Sequence, residues 1–118
     1  MKILVVDDSS LTRSAVVTAL QAFNHEVVGE GKDGNEALEL YKKSKPDIVL
    51  LDLAMPNKDG LETIREIRDF DPNAVIVAVS ALYDRAIQRR ALELGAKAYV
   101  VKPFELSELM NVIEKIKG

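Results

Sequence analysis

The chain has 118 residues, a length that suits one compact domain and leaves no room for a second. With 47% hydrophobic and 30% charged residues it can bury a core and keep a solvated surface, which excludes the disordered and membrane-embedded classes. A net charge of −3 offers no basic face to a nucleic-acid backbone, and the lack of Cys excludes disulfides and thiolate metal sites.

The first apolar run, Ile3-Leu4-Val5-Val6, is too short for a signal segment and stops at two aspartates, so a cytoplasmic location is expected. From there, short β-branched runs alternate with helix-period segments, the pattern of βα units that build a parallel sheet. The strands are expected at Lys2–Val6, Glu26–Val28, Ile48–Leu51, Ala74–Val79 and Ala98–Val101. The first helix carries Leu11, Ala15, Ala19 and Phe23 on one stripe, with Ser9 or Ser10 as its cap. The second shows Ala37, Leu38 and Tyr41. The third follows an Asp59/Glu62 capping box, which precedes Leu61, Ile64 and Ile67. The fourth (Ala86, Ile87, Ala91, Leu94) stops at Gly95, and the fifth (Leu106, Leu109, Ile113, Ile116) runs to Gly118.

Strands buried on both faces read as continuous apolar runs, whereas edge strands are shorter or interrupted by charge. The first, third and fourth strands therefore belong in the middle. Glu26 and Glu30 flank the second strand and Lys97 and Lys102 flank the fifth, which places these two at the edges. With right-handed crossovers the order is 2-1-3-4-5, a three-layer flavodoxin-like α/β fold. Ligands in such sheets bind beyond the carboxyl ends of the strands at the switch point, here between strands 1 and 3.

That point holds Asp7 and Asp8 after the first strand and Asp52 at the end of the third. Carboxylates packed that closely repel one another and call for a cation, and oxygen donors without His or Cys suit Mg²⁺ or Mn²⁺. Ser80 and Lys102 end the fourth and fifth strands, adding a hydroxyl and an ammonium at the same edge. A cation, a lysine and a hydroxyl around one carboxylate make a phosphoryl-binding site, and Asp52 at its centre is the candidate nucleophile.

At Val5-Val6-Asp7-Asp8, Leu51-Asp52-Leu53-Ala54-Met55-Pro56 with Asp59-Gly60, Ser80-Ala81 and Lys102-Pro103-Phe104, the chain resembles the response-regulator receiver family of two-component signalling. The resemblance spans essentially the whole chain. It implies that Asp52 takes a phosphoryl group from a phosphohistidine on a sensor histidine kinase or a phosphotransfer protein. It implies that Asp8, Asp52 and the Ala54 carbonyl bind Mg²⁺ directly, with Asp7 acting through water. Lys102 would hold one phosphoryl oxygen, and Ser80 with the Ala81 backbone N–H another. Tyr99 matches the family's switch aromatic, coupled to Ser80, and the Lys102–Pro103 bond its cis peptide. Kinases would approach over the first helix and Pro103-Phe104, and a downstream protein would read the face of helix 4, strand 5 and helix 5. Ala54 and Leu82 match the positions that flank the hydrolytic water, and neither can hydrogen-bond one, so a long-lived phosphoryl group is expected.

Each residue also has a plainer reading. Asp7 and Asp8 could charge a helix N-terminus, Asp52 could be a turn acid, and Lys102 a salt-bridge partner. Four such coincidences at one sheet edge are improbable together. His25 reads as a loop or surface residue, and Arg85, Arg89 and Arg90 as a solvated face. The rival is Gly29-Glu30-Gly31-Lys32-Asp33-Gly34, a literal dinucleotide-binding glycine pattern before a helix. It follows an edge strand and lacks a second nucleotide half, so these glycines are expected to make a turn with positive φ available at each. The expectation is a signalling module rather than an enzyme with a released product. It is expected to act as a monomer, with dimerisation on phosphorylation an option, and to bind neither nucleic acid nor membrane. A stand-alone chemotaxis-type regulator comes first and a phosphorelay intermediate second.

Overall fold

The computed structural model describes residues 1–55, 58–81 and 84–117. Strands β1 (Lys2–Val6), β2 (Glu26–Gly31), β3 (Ile48–Asp52), β4 (Ile76–Ser80) and β5 (Ala96–Val101) alternate with helices α1 (Ser10–Ala22), α2 (Gly34–Ser44), α3 (Gly60–Phe70), α4 (Arg85–Glu93) and α5 (Leu106–Lys117). All strand pairs are parallel and the order is β2-β1-β3-β4-β5, as expected from which runs were continuously apolar. No helix among the described residues is long and apolar enough to cross a membrane.

Because successive strand residues point to opposite faces, each apolar run supplies two cores. Leu4, Val6, Val49, Leu51, Ile76 and Ala78 face one side, against Ala37 and Tyr41 of α2, Ile64 and Ile67 of α3, and Ala91 of α4. Ile3, Val5, Ile48, Leu50, Val77 and Val79 face the other, against Val16 and Leu20 of α1 and Leu109, Met110 and Ile113 of α5. Caps set the helix starts. Ser9 Oγ accepts the Thr12 N–H, Asp33 the Glu36 N–H, Asp59 the Leu61 N–H and Asp84 the Ala86 N–H. Asp59 thus caps α3 as expected, while Glu62 lines a groove between α3 and α4 with Arg65 and Arg90. At the end of α4, Gly95 takes φ +115. The stop at Gly118 lies outside the described residues.

Four expectations are corrected. On α1, Leu11 is 83% and Phe23 56% exposed and Ala15 is also exposed, whereas Val16 and Leu20 are buried. The helix carries apolar residues on more than one stripe, and its contact with the sheet and α5 selects the one through Val16 and Leu20. On α5, Leu109 and Ile113 are buried while Leu106 is exposed. His25 is no surface residue: it is 6% exposed, with Nδ1 3.4 Å from the Met1 amine and Nε2 3.7 Å from a Glu114 carboxylate oxygen.

The fourth concerns the glycines. Gly29 and Gly31 lie inside β2 and Gly34 opens α2, and among the described glycines only Gly95 has positive φ. What they provide is close approach: a Cβ on Gly29 would meet Leu4 Cδ1 at 3.1 Å, and one on Gly34 would meet Thr63 Oγ1 at 2.4 Å. The space beside Gly34 is therefore taken by Thr63 of α3. The α2 N-terminus is moreover capped by Asp33, and Glu36 accepts the Lys32 N–H, so two carboxylates stand where a pyrophosphate would.

Candidate functional site

The parallel register brings the expected residues to one level. Val6 pairs with Leu51, so Asp7 and Asp52 leave the sheet side by side. Asp52 is level with Val79, and Ser80 with Val101, one residue before Lys102. The four side chains therefore collect at the carboxyl edge of β1, β3, β4 and β5.

Asp7 is anchored through every polar atom. Its N–H donates to the Gly31 carbonyl (3.0 Å), its Oδ1 accepts the Ser9 N–H (2.9 Å) and its Oδ2 accepts from Lys102 Nζ (2.6 Å). Its carbonyl accepts from Arg13 Nη1 at 2.5 Å. Asp52 accepts the Ala54 N–H at 2.9 Å on Oδ1 and Lys102 Nζ at 3.2 Å on Oδ2. Asp7 and Asp52 are buried and Asp8 is exposed, and one carboxylate oxygen from each falls within 4.8 Å of the others.

Burial pushes the Asp52 carboxyl above its usual range and the Asp7 charge adds to this, against the Ala54 N–H and Lys102, which favour the ionised form. For Lys102, burial works to lower the pKa, but the Asp7 hydrogen bond and the charges of Asp52 and Asp7 together outweigh it and leave the ammonium favoured. One cation thus serves two of three crowded carboxylates. The donor set fits a hard divalent cation: three carboxylates converge without an imidazole or thiolate, and Asp8 turns to solvent, where an ion would enter.

Ser80 is fully buried and lies two residues beyond Ala78, the register partner of Tyr99. Burial first, then the charges of Asp52 and Asp84, raise the Tyr99 pKa, against Ser80, which acts to lower it. The Tyr99 ring packs on the core beneath α2, α3 and α4. Ala81 is exposed, Ala54 is exposed beside Asp52, and the Lys102–Pro103 peptide is cis. Phe104, Leu106, Leu11 and Ala15 line a groove of about 460 Å³ that reaches Pro103, Lys102 and Ala81. Leu11, misassigned to the core, belongs to this groove. Leu82 lies outside the described residues.

The sequence reading missed Arg13 and its partner Glu30, which stand behind the acid pair. The available signal was a cation on the first helix six positions after Asp7, close enough to fold back on the strand end.

Residues 3–114 match the family model described as the response regulator receiver domain. Over 115 residues the chain is 39% identical to the chemotaxis protein CheY of Thermotoga maritima, covering 98% of this chain and 96% of that protein. It is 38% identical over 117 residues to protein CcdB of Bacillus subtilis, covering 99% and 98% of the two chains. Among solved structures, the CheX-CheY-BeF3-Mg+2 complex from Borrelia burgdorferi matches 100% of this chain and 90% of its counterpart, at 30% identity and a TM-score of 0.96. The strand order, the acidic edge closed by Lys102 and these likenesses agree: the chain belongs to the response regulator receiver domain family of two-component signalling.

Proposed function

We propose that Asp52 accepts a phosphoryl group from a phosphohistidine of a sensor kinase or phosphotransfer protein, and that this changes which protein binds the face made by α4, β5 and α5. The observation that carries the reading is Lys102 Nζ between Asp7 and Asp52, with Asp8 alongside. An Asp52 carboxylate oxygen attacks phosphorus opposite the imidazole nitrogen. The O–P bond forms as the P–N bond breaks, the electron pair leaves with the imidazole, which takes a proton from water, and an acyl phosphate results. Lys102 turns from Asp52 Oδ2 to a phosphoryl oxygen, and Ser80 with the Ala81 N–H holds another. Asp8, Asp52 and the Ala54 carbonyl, with Asp7, would hold Mg²⁺ or Mn²⁺, which would supply positive charge to the phosphoryl oxygens.

The nearness of Ser80 to Tyr99 across β4 and β5 supports the output side of this reading. A Ser80 hydroxyl drawn toward phosphate changes the surroundings of Tyr99, which is a two-state element of the kind a modification can bias. The groove between α1 and Phe104 supports approach of the phosphoryl donor there. Relatives named as chemotaxis proteins support a chemotaxis-type role.

The test is incubation with acetyl phosphate and Mg²⁺, read by intact mass. One phosphate should be added, Asp52→Asn should abolish it, and Asp8→Ala should reduce it more than Glu39→Ala. Unchanged labelling of Asp52→Asn would sink the assignment. On phosphorylation, amide shifts should spread through β4, α4 and β5 while α2 stays quiet.

A further inference from the structure

Arg13 makes contacts that a surface cation does not need. Its Nη1 donates to the Asp7 carbonyl at 2.5 Å and its Nε to Glu30 Oε1 at 3.2 Å, and its side chain is only 20% exposed. The Asp7 carbonyl and the Asp8 N–H belong to one planar peptide unit, so holding that oxygen sets the tilt of the plane from which Asp8 departs. The peptide plane before Asp7 is already fixed by its N–H on the Gly31 carbonyl. Asp7 is further held by Ser9 and Lys102, whereas Asp8 is exposed. Arg13 is the side chain that holds the carbonyl of the Asp7–Asp8 peptide.

Charge alone would act in the opposite sense, because a guanidinium beside an acidic pocket repels an incoming cation. Glu30, at the end of β2, answers that charge. The two contacts use two nitrogens of one rigid fork on two different acceptors, which a lysine's single ammonium on a flexible stem does not reproduce.

We infer that Arg13 is a positioning residue for the cation pocket, acting through the Asp7–Asp8 peptide, with Glu30 holding the guanidinium and offsetting its charge. The inference rests on the reading of the acid cluster as a divalent-cation site. The experiment is Mg²⁺ titration of wild type, Arg13→Gln, Arg13→Lys and Glu30→Gln, followed by amide shifts and calorimetry, with the melting temperature of each recorded. Arg13→Gln and Arg13→Lys should both weaken Mg²⁺ binding by about ten- to a hundredfold, the range typical for residues that orient metal ligands. Glu30→Gln should weaken it less, and that deficit should vanish near 1 M salt, whereas the Arg13→Lys deficit should persist. In the metal-free variants the Asp8 amide should shift. Ile113→Val, a core change far from the pocket, should lower the melting temperature and leave Mg²⁺ affinity unchanged. Wild-type affinity in Arg13→Lys overturns the positioning role alone. A wild type that takes up no Mg²⁺ overturns the pocket reading and this inference with it.

Discussion

Lys102 Nζ stands 2.6 Å from a carboxylate oxygen of Asp7, so the end of the last strand neutralises the pocket that the first strand opens. The ammonium occupies the charge role that a bound cation would share. Lys102→Met should therefore have opposed effects. Loss of the partner leaves buried Asp7 and Asp52 uncompensated, costing about 1–3 kcal/mol of metal-free stability. Mg²⁺ should bind at least as tightly as in wild type, because its competitor is gone, while phosphorylation falls for want of the lysine. Calorimetric titration beside acetyl phosphate labelling checks this, and a parallel loss of both would make Lys102 a structural strut only.

Mg²⁺ should stabilise the fold by linkage, since three converging carboxylates exist only in the folded chain. At ten times the dissociation constant the gain is about 1.4 kcal/mol, a few degrees in melting temperature. Chelation should remove the gain, and Asp8→Ala or Asp52→Asn should abolish most of it. Equal shifts in all three proteins would point to nonspecific binding.

Gly60 and Gly31 should differ sharply when replaced by Ala. A Cβ at Gly60 would fall 2.4 Å from Leu53 Cα and 2.8 Å from its carbonyl oxygen, backbone that cannot step aside, next to Ala54. At Gly31 the nearest atom is Leu40 Cδ1 at 3.2 Å, the end of a flexible side chain. Gly60→Ala should cost about 1–3 kcal/mol and slow labelling, whereas Gly31→Ala stays near wild type. Urea unfolding and acetyl phosphate kinetics measure the contrast.

His25 should make stability pH-dependent. Burial first, and the Met1 amine second, hold its pKa below the ordinary value of 6.5, against Glu114, with Lys117 also acting to lower it. The unfolded chain then binds more protons than the folded one between the depressed value and 6.5. Stability therefore falls as pH drops through that window and the loss levels off below it. Urea unfolding from pH 7.5 to 5.5 should show a steeper decline for wild type than for His25→Gln, and parallel curves would remove His25 as the cause.

Phosphoryl lifetime should respond to Ala54, whose methyl side chain offers no hydrogen bond to a water beside Asp52. If an amide there lowers the hydrolytic barrier by about 1.4 kcal/mol, Ala54→Asn should shorten the lifetime about tenfold. Decay after donor removal is the measurement, and an unchanged half-life would discount the position.

The order of the sheet and the gathering of Asp7, Asp52, Ser80 and Lys102 were legible in the sequence, because continuous apolar runs must lie inside a parallel sheet and strand ends must then share an edge. Local caps at Ser9 and Asp59 were legible for the same kind of reason, a short-range donor and acceptor. The face of α1 was not. Its apolar residues run around more than half the helix, and only the surfaces of the sheet and α5 decided that Val16 and Leu20 go inward while Leu11 lines a groove. Gly29 and Gly31 read as a turn until pairing with β1 drew them into a strand. His25 and Arg13 show the limit most plainly. A histidine in a loop and an arginine on a helix look the same in sequence whether water or protein surrounds them, and only chain segments distant in sequence, Met1 with α5 and the end of β1 with the end of β2, supplied the partners that gave each its role.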